Sequence, residues 1–293
     1  MNKNETLSLA ALPIVVLFGA GLAWAGSRGG VAVNGIPVFA LCVALAFAVQ
    51  WIAFIPAAAL KTEKFYDLTG SLTYLAVTFT GLALSRPVDA RGLLLAALVA
   101  TWALRLGVFL FGRIRAAGED RRFREIKTSR PRFLLAWTLQ GLWIAFTLAA
   151  ALAAITAGTR AELGGFALAG TLAWALGFGI EVAADGQKRR FGADPANAGK
   201  FIRTGLWAWS RHPNYFGEIV LWAGVALIAY PVLQGWGRLT LLSPVFVWLL
   251  LTRVSGVPIL EARADEKWGG EADYEAYKAQ TPVLVPRPPA KNQ

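Results

Sequence analysis

Glu181 and Asp185 stand four residues apart at the end of a long apolar run, a spacing that puts both carboxylates on one face of a helix. Like charges placed so close repel unless a cation or a hydrogen-bond donor satisfies them. The pair therefore reads either as a structural partner for arginines of the next loop or as part of a ligand site at membrane depth. Glu218 opens the following apolar run, where the positive end of a helix dipole favours an acid. Between them lies Ser210-Arg-His-Pro-Asn-Tyr-Phe-Gly-Glu218, dense in hydrogen-bonding side chains and holding the chain's single histidine, His212, with Arg211, Asn214 and Tyr215 beside it. Lys188, Arg189 and Arg203 lie just upstream. Basic groups at a helix start suit a ligand that carries phosphates. There is no GxGxxG after a strand and no P-loop, so a nucleotide would sit in a membrane-type site and not in a Rossmann domain.

A second set of residues gathers around Tyr66 and Asp67, which open a run after the short loop Lys61-Thr-Glu-Lys64. Asp67 either caps that helix or, partly desolvated, serves as an acid or hydrogen-bond donor. Arg105 lies inside a span, snorkelling to the headgroups or serving a site. Arg113 heads a basic segment ending in Arg121-Arg122-Phe123. Near the end of the chain, Glu261 precedes a polar, helix-prone stretch in which Tyr274 and Tyr277 share a face at i, i+3. These tyrosines either anchor the tail at the interface, where tyrosine is common, or close over a bound cofactor. The tail from Pro282 reads as extended, its end mobile.

These residues have to be positioned by elements of a particular kind. Of 293 residues, 56% are apolar and only 16% charged, with a mean hydropathy of +0.50. A soluble domain of this size carries more charge. The excess comes in runs at roughly 9–26, 36–60, 68–84, 93–112, 133–156, 164–185, 216–234 and 239–256. Each has about the length needed to cross the hydrocarbon core, and a backbone in lipid must bond to itself, so the runs read as helices. The expected fold is an all-α integral membrane protein of seven to eight transmembrane helices with cytoplasmic loops that bind a cofactor; Pro244 interrupts the last run. Residues 1–60 read as N-terminal transmembrane helices and 61–293 as the functional domain with its tail.

Placing the loops alternately on two sides gives 23 basic residues on one and five on the other, with Arg105 inside a span. That bias orients both termini to the cytoplasm of a bacterial inner membrane. It needs the first run retained as a span, although a signal peptide would show the same order of charges and apolar residues. The net charge of +11 is then explained by anionic headgroups and orientation, without nucleic acid. One cysteine, Cys42, and one histidine make neither a disulfide nor a structural zinc site, and no metal is expected. Cys42 reads as lipid-facing or core packing.

Ser210-Arg-His-Pro-Asn-Tyr-Phe-Gly-Glu218, Glu261, and the Trp268-Gly…Tyr274…Tyr277…Pro286 tail together resemble the steroid 5-alpha-reductase family, in particular its little-characterised bacterial branch. Lys64-Phe-Tyr-Asp-Leu-Thr-Gly70, Trp102-Ala-Leu-Arg-Leu, Gly118-Glu-Asp-Arg-Arg-Phe and Glu181…Asp185-Gly-Gln-Lys extend the resemblance, which covers roughly residues 60–288. It implies an NADPH-dependent reductase that saturates a carbon–carbon double bond conjugated to a ketone in a hydrophobic small molecule, entering from the membrane lipids. Asn214 and Glu218 match the family's cofactor-contacting Asn and acid, Asp185 an acid of the cofactor loop, and Arg105 a span arginine near the cofactor. Glu181, Arg211, His212, Tyr215, Glu261, Tyr274 and Tyr277 fall in the same cofactor motifs. Arg113, Lys188, Arg189 and Arg203 are candidates for its phosphates. Tyr66-Asp67 falls where the steroid enzymes carry a Gln-Glu pair facing the ketone, which gives Asp67 the Glu role. Trp102 replaces a ketone-donating tyrosine, and Glu266 and Gly270 replace a His and a Tyr before the tail, so the substrate need not be a steroid.

Isoprenylcysteine carboxyl methyltransferases share the His-Pro-x-Tyr-x-Gly motif, which keeps an S-adenosylmethionine-dependent methyltransferase as the alternative. The basic loops favour NADPH, since adenosylmethionine has no phosphates to neutralise. A non-catalytic lipid-binding or transport protein is the third class, but transporters of known folds show repeats or paired broken helices, and this sequence shows neither.

Overall fold

The computed structural model describes residues 3–289 and is almost wholly helical. Every apolar run forms a helix. Lys3–Gly26 (α1) is followed by a two-residue ribbon, Ala32–Val33 (β1) antiparallel to Ile36–Pro37 (β2), turned through Asn34 and Gly35, both at positive φ. Then come Val38–Leu60 (α2), Tyr66–Leu84 (α3), Ala90–Ala117 (α4), Arg130–Ile155 (α5), Gly165–Ala193 (α6) and Pro213–Ala229 (α7). The last run is composite. A 3-10 stretch Gly235–Leu242 leads into Ser243–Leu249 (α8), a π-turn at Leu250–Val254, and Val257–Trp268 (α9). Pro244 sits in the first turn of α8, where its missing N–H costs nothing. Ala272–Gln280 (α10) is the final helix.

Seven of these segments are long and apolar enough to cross a bilayer, so the chain is an integral membrane protein of the expected class. The 19-residue α3 stands outside that set, because Asp67, Ser71 and its threonines make it less apolar than the others. It nevertheless forms where the sequence placed a span.

The fold divides into two compact units. The first comprises residues 1–168 and 226–243. Its axis is α5, in which every residue from Thr147 to Ile155 is buried; α1, α2, α3 and α4 pack around it. A helix apolar on all sides belongs at such a centre. Cys42 is part of this core, its thiol 3.6 Å from the Val77 carbonyl. Arg91, at the start of α4, is buried and donates to the carbonyls of Ile228 (2.5 Å) and Glu162 (2.7 Å). There it satisfies a carbonyl near the end of α7 and one in the loop before α6 that the core would otherwise leave unmet.

The second unit comprises residues 169–225 and 244–293. Its frame is the contact of α6 with α7, which touch backbone to backbone. A β-carbon on Gly177 would lie 2.5 Å from the Gly217 carbonyl oxygen, one on Gly217 2.5 Å from the Gly177 oxygen, and one on Gly224 2.5 Å from the Gly170 oxygen. Small residues permit this approach in a membrane, where close van der Waals packing holds helices together.

Candidate functional site

In the second unit the glycine contact brings the carboxylate end of α6 to the start of α7. Glu181 and Asp185 are both buried. Asp185 Oδ1 accepts from Asn214 Nδ2 at 3.2 Å, so two residues 29 positions apart, each singled out by its sequence, are partners. Gly217 is seated against Glu181, since a β-carbon there would reach the Glu181 amide nitrogen at 2.8 Å. Glu218 lies in the first turns of α7, half-buried.

His212 is buried and stacks on Tyr215 with ring centroids 5.6 Å apart and planes 11° apart. Its Nε2 lies 2.7 Å from Glu261 Oε1. A carboxylate only accepts, so this nitrogen carries the hydrogen, and Nδ1 of the neutral ring is left as an acceptor. The other oxygen of Glu261 pairs with Arg211 at 2.8 Å. One acid on α9 thus holds two consecutive residues of the motif loop. His212 Nδ1 and Arg211 Nε are buried without a hydrogen-bond partner.

The loop is closed by the tail. Arg211 N–H donates to the Pro282 carbonyl (2.9 Å), the Ser210 hydroxyl to that of Leu284 (2.8 Å), and Arg287 N–H to that of Trp209 (2.9 Å). The tail is extended, as expected, and held as far as Arg287; the residues beyond 289 lie outside those described. Tyr277 donates its hydroxyl to the Trp207 carbonyl at 2.7 Å. Tyr274 is buried against Phe201 and Trp268. Burial, with Asp265 and Glu261 nearby, pushes the Tyr274 hydroxyl up to about 12, and burial raises that of Tyr277 as well. Both therefore keep their protons at neutral pH. The tyrosines are internal clamps, a role outside the two that the sequence suggested.

Of the basic candidates in this unit, Lys188 is exposed with its ammonium 4.6 Å from the centre of the Trp207 ring. Arg189 is exposed, and Arg203 pairs with Asp273 at 3.2 Å on the surface. Sequence reasoning missed Ser210 as a hub, Gln187, whose carbonyl oxygen accepts from Leu206 N–H, and Trp207, whose indole donates to the Ala184 carbonyl. The spacing of seven between Gly170 and Gly177, repeated between Gly217 and Gly224, was the available signal for the helix contact.

In the first unit Asp67 does not cap α3. The helix begins at Tyr66, Phe65 holds the cap position without a side-chain bond, and Asp67 already lies inside the first turn. Its carboxylate is instead paired with Arg113 (3.4 Å) and Arg122 (3.6 Å). Arg122 also pairs with Asp120 at 2.5 Å. Burial works to raise the Asp120 carboxyl, but the bonds and charge of Arg122, with Arg113 behind them, hold it below the usual aspartate range. Glu63, buried in the α2–α3 loop, accepts from Lys127 (2.7 Å) and from Asp120 N–H (3.0 Å). This ion network ties the loop after α4 to the loop before α3, and Glu63, Asp120 and Lys127 were not among the expected site residues. Tyr66 donates its hydroxyl to the Ala136 carbonyl at 2.9 Å and packs against Phe123 and Trp137. Trp102 is buried edge-on to Tyr74. Arg105 places its guanidinium 5.2 Å from the Phe109 ring centre.

Comparison with known proteins gives two matches. The family described as "Protein of unknown function (DUF1295)" matches residues 53–281. The bovine (Bos taurus) protein 3-oxo-5-alpha-steroid 4-dehydrogenase 1 is 29% identical over 119 residues, which is 41% of this chain and 41% of that protein. The match therefore spans about two fifths of the curated relative. No solved structure matches.

Proposed function

Because the chain belongs to the DUF1295 family, within the steroid 5-alpha-reductase superfamily, we propose that it is a membrane-embedded oxidoreductase that uses NADPH to saturate a carbon–carbon double bond conjugated to a ketone in a hydrophobic, steroid-like substrate. The observation that carries this reading is the pair of buried polar atoms without partners, His212 Nδ1 and Arg211 Nε, in the most specific stretch of the sequence. A buried polar atom left unpaired costs about 1–3 kcal/mol, and a polar ligand removes that cost.

The residues present fit a dinucleotide phosphate. Its polar groups would meet Arg211, His212 and the Asp185–Asn214 pair, with Glu181 and Glu218 on the same helix ends. Its phosphates would meet Lys188, Arg189 and Arg203. Arg203 has to leave Asp273 to do so, which an exposed pair allows at little cost. When bound, the cofactor supplies a hydride for the β-carbon of the substrate. Glu261 keeps His212 in one tautomer, and Ser210, Tyr274 and Tyr277 keep the loop in one conformation.

Asp67 is the group proposed for the ketone. A protonated carboxyl donates to the carbonyl oxygen and stabilises the enolate that develops there. To reach a substrate ketone the Asp67 carboxyl has to turn from Arg113 and Arg122, its partners at 3.4 and 3.6 Å. Tyr66 has its hydroxyl committed to Ala136, and Trp102 stands where the steroid enzymes carry their ketone-donating tyrosine. Asp67→Asn should abolish turnover while leaving cofactor binding intact; unchanged turnover would remove Asp67 from the mechanism. The excess of basic residues on alternate loops supports a bacterial inner-membrane location with both termini cytoplasmic.

The deciding measurement is thermal unfolding of the purified protein with NADPH, NADH or S-adenosylmethionine. A ligand that binds only the folded state, at 100 times its dissociation constant, adds about 2.7 kcal/mol. A shift with NADPH supports the reductase. A shift with S-adenosylmethionine alone overturns it in favour of the methyltransferase that shares the His-Pro-x-Tyr-x-Gly motif.

A further inference from the structure

The geometry points to a phospholipid site at the C-terminal end of α1, where the phosphodiester of an anionic glycerophospholipid is held by Arg28 with its acyl chain lying along the helix. The Arg28 guanidinium lies over the Trp24 ring at 4.5 Å from its centre, and Trp24 in turn contacts Trp236, ring centroids 5.6 Å apart. Both tryptophans are exposed, at 49% and 59%. Exposed tryptophans at the end of a membrane helix mark the headgroup level. Beside them a groove is lined by Ala23, Trp24, Ser27, Arg28, Pro37 and Ala40, small side chains with one aromatic and one cationic group among them.

Three features decide the occupant. First, Arg28 has no carboxylate partner among the described residues. Stacking on an indole fixes its plane and leaves its N–H edges free for a phosphate, which a guanidinium meets with two parallel bonds. Second, Ile14, Leu17, Gly21 and Trp24 follow one another at helical spacing on α1, and Arg28 lies in the turn just after it. Ile14 and Leu17 are 55% and 69% exposed, and a β-carbon on Gly21 would meet nothing within 4 Å. This is an apolar track one acyl chain wide that leads to the guanidinium. Third, one guanidinium balances one net negative charge, whereas the ammonium of a zwitterionic headgroup would be brought against a like charge. The site therefore selects phosphatidylglycerol-type lipids.

Native mass spectrometry of the delipidated full-length protein, titrated with phosphatidylglycerol or phosphatidylcholine, tests the inference. The wild type should bind its first phosphatidylglycerol about fivefold more tightly than Arg28→Gln does, the worth of one basic residue at a lipid surface. Phosphatidylcholine should bind both alike. Ala40→Phe, which fills the groove and leaves Arg28 in place, should weaken phosphatidylglycerol similarly, and it keeps the test open if Arg28→Gln does not fold. Equal phosphatidylglycerol affinity in the wild type and both variants overturns the site. An equal loss of phosphatidylcholine in the variants overturns the selectivity for anionic lipid.

Discussion

Single side chains in this protein do their work mostly by holding other groups still. Tyr277 spends its hydroxyl on the Trp207 carbonyl, so Tyr277→Phe should lower stability by about 1 kcal/mol, the net worth of an ordinary hydrogen bond. A calorimetric comparison of midpoints checks this, and no change would mean that water replaces the bond. Glu261 is expected to matter more to ligand binding than to folding. Glu261→Gln retains a side chain of the same size but can donate to His212 through its amide, which allows the other tautomer. The NADPH-induced thermal shift should shrink while the unliganded midpoint changes little. At this scale the sequence was partly legible. Asp185, Asn214, His212 and Glu261 could be singled out because an acid, an amide or an imidazole at the end of a span has few reasons to be there. Ser210 could not, because serine is ordinary in loops, and its importance arises from carbonyls more than 70 residues away.

Helices and loops add constraints that no residue shows by itself. The contact of α6 with α7 leaves no room for a side chain at Gly177 or Gly217. Gly177→Val should cost about 1–3 kcal/mol through overpacking. Gly179, on the same helix with nothing within 4 Å of its β-position, should accept Ala and gain up to about 1 kcal/mol from helix propensity. If both substitutions act alike in thermal unfolding, the close contact is not what holds these helices. In the first unit, the loop after α4 depends on the charge of Asp120. Its carboxyl is held below the usual aspartate value, so its contribution is complete above about pH 3.9, the value in an unfolded chain, and is lost as pH falls through the lower native value. Protection from hydrogen exchange across residues 118–129 should therefore be lost only below that pH, and Asp120→Asn should show the weaker protection above it, the difference closing as pH falls through the native value. The periodicity of the sequence located each span, because apolar length is dictated by the bilayer. It could not show the ion network, in which Glu63 meets a lysine 64 positions away.

For the whole molecule, α3 together with the seven longer apolar helices among the described residues makes eight crossings, and with the lopsided distribution of basic residues this leads to an expected arrangement that can be measured directly. The native cysteine, Cys42, is buried. Cysteines introduced at Lys3 and at Pro289 should therefore be labelled by a membrane-impermeant maleimide from the same side, and labelling from opposite sides would require an odd number of crossings. The tail sets a second test at this scale. Removing the chain from Pro282 onward eliminates the bonds from Pro282, Val283, Leu284 and Arg287 to residues 209–211 and should abolish the thermal shift with NADPH, while leaving the helices inserted. An undiminished shift would show that the loop holds its shape without the tail. The same clamp has a consequence for biosynthesis. The ribosome finishes α1 to α10 before it makes the segment that closes the motif loop, so during translation the chain passes through a stage with these helices made and the loop still open. A ligand present at that stage would find the loop accessible, and a prematurely terminated chain would remain in the bilayer as an inserted bundle with its motif loop unclosed.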